Sequence, residues 1–200
     1  ALDYLDDVKG SIEDKAYVAA QAYALRAFFY FNLVNLFGEP YNYNKDADGV
    51  PLKLTSSLSS SSEKRETVAK VYEQIVKDLN AAEENFLALS ADRQGKVGYR
   101  INLPAVQLLH ARVCLYMEDM EGAAKYAKKV IDNWGYELYD LTSFKKDTTI
   151  VVGKNASYPS YVSLDNPETI WVYGNAADFN GIIGAQDKME NGTTYAYFVN

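Results

Sequence analysis

The chain has 200 residues, 48% of them hydrophobic, and a formal net charge of −7. That is enough apolar material for one domain with a core and too much for a disordered chain. Lysine and arginine are scattered rather than clustered, which leaves no basic face for phosphate and argues against a nucleic-acid partner.

The acidic opening ALDYLDD does not read as a signal peptide. The first predicted helix runs from Ser11 or Ile12 to Phe37, with Gly38 as its stop and Pro40 just beyond. Its second half, YALRAFFYFNLVNLF, is apolar on nearly every side, and such a helix is expected at the centre of a bundle. Arg26 within that run must find a partner or reach a surface. Ala22 to Phe37 is also the most apolar stretch. Arg26, Asn32 and Asn35 interrupt it, and it is shorter than the ~20 residues a bilayer requires, so no transmembrane span is expected.

A polar segment follows, rich in Pro, Gly and Asn and carrying the serine run Ser59–Ser62. It reads as a long loop inserted over 38–66, with an ordered first half and a mobile serine-rich second half. The second helix has the clearest pattern: Val68, Val71, Tyr72, Ile75, Leu79, Ala82, Phe86 and Leu89 form one apolar stripe at helical spacing. Thr67 is its predicted N-cap. Lys70, Glu73, Lys77, Asp78, Glu83 and Glu84 are assigned to its solvent side.

The third helix starts near Asn102 or Leu103, with Pro104 in the tolerated first turn. The fourth is EGAAKYAKKVIDNW, ended by Gly135. Their short connection predicts a hairpin, and the small residues Ala111, Ala123, Ala124 and Ala127 allow close approach. The stretch Pro104–Glu137 fits a tetratricopeptide-like unit of about 34 residues, with Ala111 and Ala123 at its small positions and Cys114 in place of the usual aromatic. The unit lacks the usual Trp and Gly. Beyond Trp134 helical periodicity stops, and short strand-like runs appear at Thr148–Val152 and Thr169–Tyr173. The predicted organisation is all-α: tetratricopeptide-like helical hairpins over 1–134, and an irregular, loop-rich extension over 135–200.

The inventory of chemistry is sparse. His110, the one histidine, lies among apolar residues of the third helix and reads as a packed side chain rather than a base. Cys114, the one cysteine, reads as a small buried hydrophobe. No nucleophile elbow, phosphate-binding glycine loop or Cys/His metal spacing occurs. The pairs Asp6–Asp7, Glu83–Glu84 and Glu118–Asp119 make poor catalytic dyads, because adjacent helical residues do not face each other. No catalytic residue, cofactor or metal ligand is therefore assigned. Asn44, Asp46, Asp48 and Gly49 echo the start of a calcium loop, but Thr55 stands where the closing acid belongs, and an Asx-rich turn explains them as well.

Binding chemistry is richer, since the chain holds 17 tyrosines, each with a flat apolar ring and a polar tip. Tyr41, Asn42, Tyr43 and Asn44 combine rings for the C–H face of a sugar with amides for its hydroxyls. They form the predicted ligand-binding site, against the plainer reading of a turn with surface tyrosines. Trp171, Tyr173, Asn175 and Asp178 make a second cluster, within which Trp171 is expected in the core.

Four motifs carry a resemblance to a family. YALRAFFYFNLVNLFGEPYN followed by GVPL resembles the first long helix and following loop of SusD/RagB proteins. TVAKVYEQIVKDLNAAEENF is similar to that family's second helix, INLPAVQLLHARVCLYMEDMEGAAKYAKKVID to its helical repeat hairpin, and PETIWVY to its acidic-plus-aromatic strand. They occur in the family's order over about Ala22 to Tyr173. The resemblance implies a non-enzymatic lipoprotein on the extracellular face of the outer membrane. Such a protein captures oligosaccharides, or in some cases peptides or another small nutrient, and passes them to a TonB-dependent, SusC-like transporter. It implies contact with the membrane only through a lipid anchor on an N-terminal cysteine, which this chain lacks. Family members are typically more than twice this length. The chain thus resembles a truncated piece, and 135–200 part of an incomplete ligand-binding region. A peptide- or protein-binding helical scaffold is the alternative function.

Overall fold

Ser11 opens the first helix, α1 (Ile12–Phe37), by accepting a hydrogen bond from the Asp14 backbone N–H. The computed structural model describes residues 1–57, 63–138 and 167–172. Within them α1 is followed by a single turn α2 (Tyr41–Asn44), the strands β1 (Asp48–Pro51) and β2 (Arg65–Thr67), and α3 (Val68–Leu87). A second single turn α4 (Ala91–Gln94) leads to α5 (Leu103–Tyr116) and α6 (Met120–Trp134). The fold is all-α in character, and each of the four long helices lies where hydrophobic spacing and capping residues put it. Thr67 accepts from Lys70 N–H at the start of α3, and Asn102 accepts from Ala105 N–H at the start of α5. No described helix is long and apolar enough to cross a membrane.

α3 is the central element. Its stripe Val68, Val71, Tyr72, Ile75, Leu79, Ala82 and Phe86 is buried, and it packs on α1, α5 and β1. This corrects the expectation that α1 lies at the centre. α1 covers only one face of α3, with small side chains inward at Ala20, Ala24 and Ala27 beside Phe31 and Val34. Val18, Leu33, Leu36 and Phe37 on its other faces are exposed. All-round apolarity thus overstated its burial, because burial depends on how many neighbours a helix has.

Two acids of α3 are also misplaced by the sequence reading. Asp78 is 1% exposed and receives Arg26 from α1 in a two-pronged pair, Nε to Oδ2 and Nη2 to Oδ1, both 2.7 Å. Gln74 adds a 2.8 Å bond to the same carboxylate. Glu83 is buried and accepts from Gln107 Nε2 of α5 at 2.9 Å and Lys129 Nζ of α6 at 2.7 Å. Trp134 Nε1 then donates to Gln107 Oε1 at 2.8 Å. Both acids fall between the apolar stripe and the solvent face, and a cation on a neighbouring helix draws each inward.

The inserted loop 38–66 is not irregular at its ends. β1 and β2 pair antiparallel, with Asp48 opposite Thr67 and Pro51 opposite Arg65. Arg65 clasps the base of the insertion, donating to the carbonyls of Phe37 (2.6 Å), Asp48 (3.0 Å) and Gly49 (2.6 Å). A Cβ at Gly49 would meet the Glu66 carbonyl at 3.0 Å, so the strand approach requires glycine here. The serine run assigned as mobile lies outside the described residues.

α5 and α6 form the predicted hairpin, with Ala111 and Ala123 buried, Ala127 half-buried and Ala124 exposed. α6 ends at Gly135 in the left-handed region, φ 65°. α5 ends in a Schellman turn: Glu118 N–H donates to Leu115 O and Asp119 N–H to Cys114 O. Glu118 sits there at φ 60°, where glycine is usual, at a cost of about 1 kcal/mol. Of the extension over 135–200, the strand-like run Thr148–Val152 lies outside the described residues. So do Tyr173, Asn175 and Asp178. In the other run, Thr169–Val172 form no strand. They return to the helices, with Asn102 Nδ2 on Ile170 O at 2.7 Å and Val172 N–H on Gly98 O at 3.2 Å. Trp171 is half-buried rather than wholly in the core, edge-on to Phe28 with ring centres 5.6 Å apart.

Candidate functional site

The segment after α1 turns sharply because Pro40 cannot continue a helix and is preset for a bend. Its carbonyl accepts from Tyr43 and Asn44 N–H at 3.0 and 3.1 Å, closing α2. The free N–H groups at the start of α3 then hold the turn. Val68 N–H donates to Ala47 O at 2.9 Å and Ala69 N–H to Lys45 O at 2.8 Å. The four predicted ligand residues thus ride on a support fixed at both ends.

They are not equivalent. The Tyr41 ring is half-buried and lies 4.9 Å from the Tyr72 ring, which in turn meets Phe31 edge-on. Burial pushes the Tyr72 hydroxyl up to about 12, against the opposing bond to Asn35. Tyr41 is therefore a wall anchored to the core more than a free platform. Tyr43 is 80% exposed and offers its ring to solvent. Asn42 and Asn44 are exposed, and Asn42 Nδ2 donates to Glu118 Oε1 at 2.9 Å. Together with Lys45, Asp46, Met117 and Glu118 they line an open cleft of about 400 Å³. Sequence reasoning missed Met117 and Glu118, which lie more than seventy positions along the chain and carry no local sign of reaching the loop.

The residues that echo a calcium loop are split between two elements, Asn44 in α2 and Asp48 and Gly49 in β1. Among the described residues no group of three or more His, Cys, Asp or Glu side chains is placed to hold a metal.

A second, somewhat larger cleft of about 490 Å³ includes Tyr17 from the first half of α1, and none of the predicted ligand residues lines it. Tyr17, Arg93, Tyr99 and Arg100 line it, with the Arg93 and Arg100 guanidinium groups 4.9 and 5.9 Å from the centre of the Tyr17 ring. Arg93 is already held by Asp14 at 3.0 Å and Glu13 at 3.6 Å. Nothing in the local sequence pattern brings position 17 to positions 92–100.

His110 is 3% exposed, stacked on the Tyr126 ring at 3.7 Å, with no partner for Nδ1 among the described residues. Burial above all drives its pKa down from 6.5 to about 4, with Glu83 opposing. It is a neutral core group near pH 7. The unfolded chain takes up this proton near pH 6.5, but the folded chain only near 4. Stability is therefore complete above 6.5 and falls as pH drops through that window. The expected loss is about 3 kcal/mol by pH 4. Melts of the parent and of His110→Phe at pH 7, 5.5 and 4.5 test this. The parent should lose stability more steeply, and parallel losses would remove His110 as the cause.

Comparison with known proteins places the chain. The SusD-like family described as starch-binding, associating with outer membrane, matches residues 1–115. No curated protein matches the chain. A solved SusD superfamily protein from Bacteroides thetaiotaomicron is 31% identical with a TM-score of 0.62, over 69% of this chain and 30% of that one. A SusD-like carbohydrate binding protein from Bacteroides vulgatus shares the fold at 24% identity and a TM-score of 0.70, over 88% of this chain and 34% of its own. A laminarin binding SusD-like protein is 31% identical with a TM-score of 0.56, over 70% of this chain and 29% of its own. The chain spans about a third of the length of these solved proteins.

Proposed function

This chain belongs to the SusD-like family, and from that membership we propose that it takes part in cell-surface glycan binding. In this reading it captures an oligosaccharide without chemistry and hands it to a TonB-dependent, SusC-like transporter in the outer membrane. The full-length protein is held on the extracellular face by a lipid anchor. The observation that carries the ligand reading is the match to the family described as starch-binding, seconded by similarity to a laminarin binding protein.

The site we propose is the cleft at Tyr41–Asn44. Tyr43 supplies the exposed ring, Asn42 and Asn44 the hydroxyl partners, and Tyr41 a wall braced on Tyr72. A single exposed ring and solvent-facing hydrogen bonds give little surplus over water, so affinity should be weak, about millimolar to high micromolar. Affinity electrophoresis in gels containing starch or laminarin tests the proposal. The parent should be retarded by at least one polymer, and Tyr43→Ala should lose most of the retardation. Unchanged retardation of Tyr43→Ala would remove this site, and no retardation in either gel would remove the glycan reading.

A further inference from the structure

Three helix ends in this fold carry different solutions to the same problem. α6 ends on Gly135 at φ 65°, as a chain turning left-handed usually does, and α1 ends on Gly38 in extended backbone. α5 ends on a complete Schellman turn whose left-handed position is occupied by Glu118 at φ 60°. Among the described residues other than glycine, Glu118 alone has positive φ. Backbone held in a costly region for its side chain gathers at binding sites, so this outlier raises the question of what the carboxylate does.

The side chain stabilises little of the turn itself. The Schellman bonds are made by backbone atoms, and N-capping of α6 belongs to Asp119, which accepts from Gly122 N–H at 2.9 Å. Among the described residues the Glu118 carboxylate takes one side-chain hydrogen bond, the 2.9 Å contact from Asn42 Nδ2, an exposed pair in the cleft beside Tyr43. The hairpin turn thus delivers a carboxylate into a loop more than seventy residues away in sequence, at the point where the exposed ring and amides converge.

Resting on the glycan reading above, we infer that Glu118 is a ligand-binding residue of this cleft and that it selects uncharged sugars. A carboxylate has two acceptor oxygens. One is held by Asn42, and with Glu118 in the cleft lining the other can accept from a sugar hydroxyl in a charge-assisted bond. Asp46 lines the same cleft, with Lys45 as its cation, so the lining carries two acids to one base. A uronate or a sulfated sugar would meet like charge there, whereas a neutral polyol meets acceptors.

The test compares Glu118→Gly, Glu118→Gln and Tyr43→Ala in gels containing starch, laminarin or polygalacturonate, together with their thermal melts. Glycine is at ease at φ 60°, so Glu118→Gly should melt at or a few degrees above the parent. It should nevertheless lose about tenfold or more in affinity for the retained neutral polymer, and Glu118→Gln somewhat less. Stability and binding moving in opposite directions is the signature that a purely structural glutamate would not give. If Tyr43→Ala weakens binding while both Glu118 variants bind as the parent does, the role of Glu118 is wrong and the cleft stands. If Tyr43→Ala also binds as the parent does, the cleft itself is wrong. Stronger retardation by polygalacturonate than by either neutral polymer overturns the selectivity, and retardation by none of them overturns the glycan reading and this inference together.

Discussion

Asp78→Ala is expected to destabilise the chain by about 3–5 kcal/mol. The carboxylate is 1% exposed and receives two 2.7 Å bonds from Arg26 and one of 2.8 Å from Gln74. Without it, a guanidinium whose side chain is only 22% exposed is left facing α3 with no counter-charge. The hydrogen bond to Asp78, against burial, holds the Arg26 pKa above its ordinary value. The pair is not irreplaceable as a pair. Removing both charges, as in Arg26→Met with Asp78→Leu, should recover most of the loss, because desolvation of the two ions disappears with them. Urea melts of the single and double variants decide this. A double variant as unstable as Asp78→Ala would mean that the site depends on the ions themselves.

Phe31→Ala should cost a similar amount, about 3–5 kcal/mol, whereas Phe28→Ala should cost about half of that. The two rings are one helical turn apart in the same apolar run, so the sequence pattern treats them alike. In the fold, Phe31 is 6% exposed and meets Tyr72 and Tyr116 edge-on at 6.2 and 5.0 Å. Phe28 is only half-buried, at the edge of the core, with its ring edge-on to Trp171. Deleting the Phe31 ring would leave a void at the junction of three elements, which close packing cannot fill without shifting backbone. Equal melting temperatures for the two variants would contradict the placement of α1 against α3.

The comparison of these rings shows what sequence can and cannot state. The 3–4 spacing of Val68 to Phe86 and the caps Ser11, Thr67 and Asn102 are local signals, and they located α1, α3 and α5 to within a residue or two. Which face of α1 is covered is not local, since it depends on how many neighbours the fold supplies. The same holds for Asp78 and Glu83, which look like solvent-side acids until Arg26 and Lys129 arrive from other helices. Of the residues that line the candidate cleft, Tyr41 to Asn44 are contiguous, so their ring and amide chemistry shows in the sequence. That of Glu118 does not, since its reach to Asn42 comes from a helix end. The cleft at Tyr17 and Arg93 was invisible for the same reason.

The clasp of Arg65 on Phe37, Asp48 and Gly49 has an evolutionary corollary. It ties the two feet of the insertion together next to the ends of α1 and α3, and the Tyr30 hydroxyl of α1 adds a second tie by bonding both the N–H and the carbonyl of Lys53. A closed base of this kind makes the framework tolerant of a longer connection between β1 and β2. Lengthening such a segment adds only about 0.6 kcal/mol of closure entropy for each doubling. Lineages can therefore trade this stretch for others of different size and chemistry while inheriting the helices unaltered. That gives a single scaffold a cheap route to diversity.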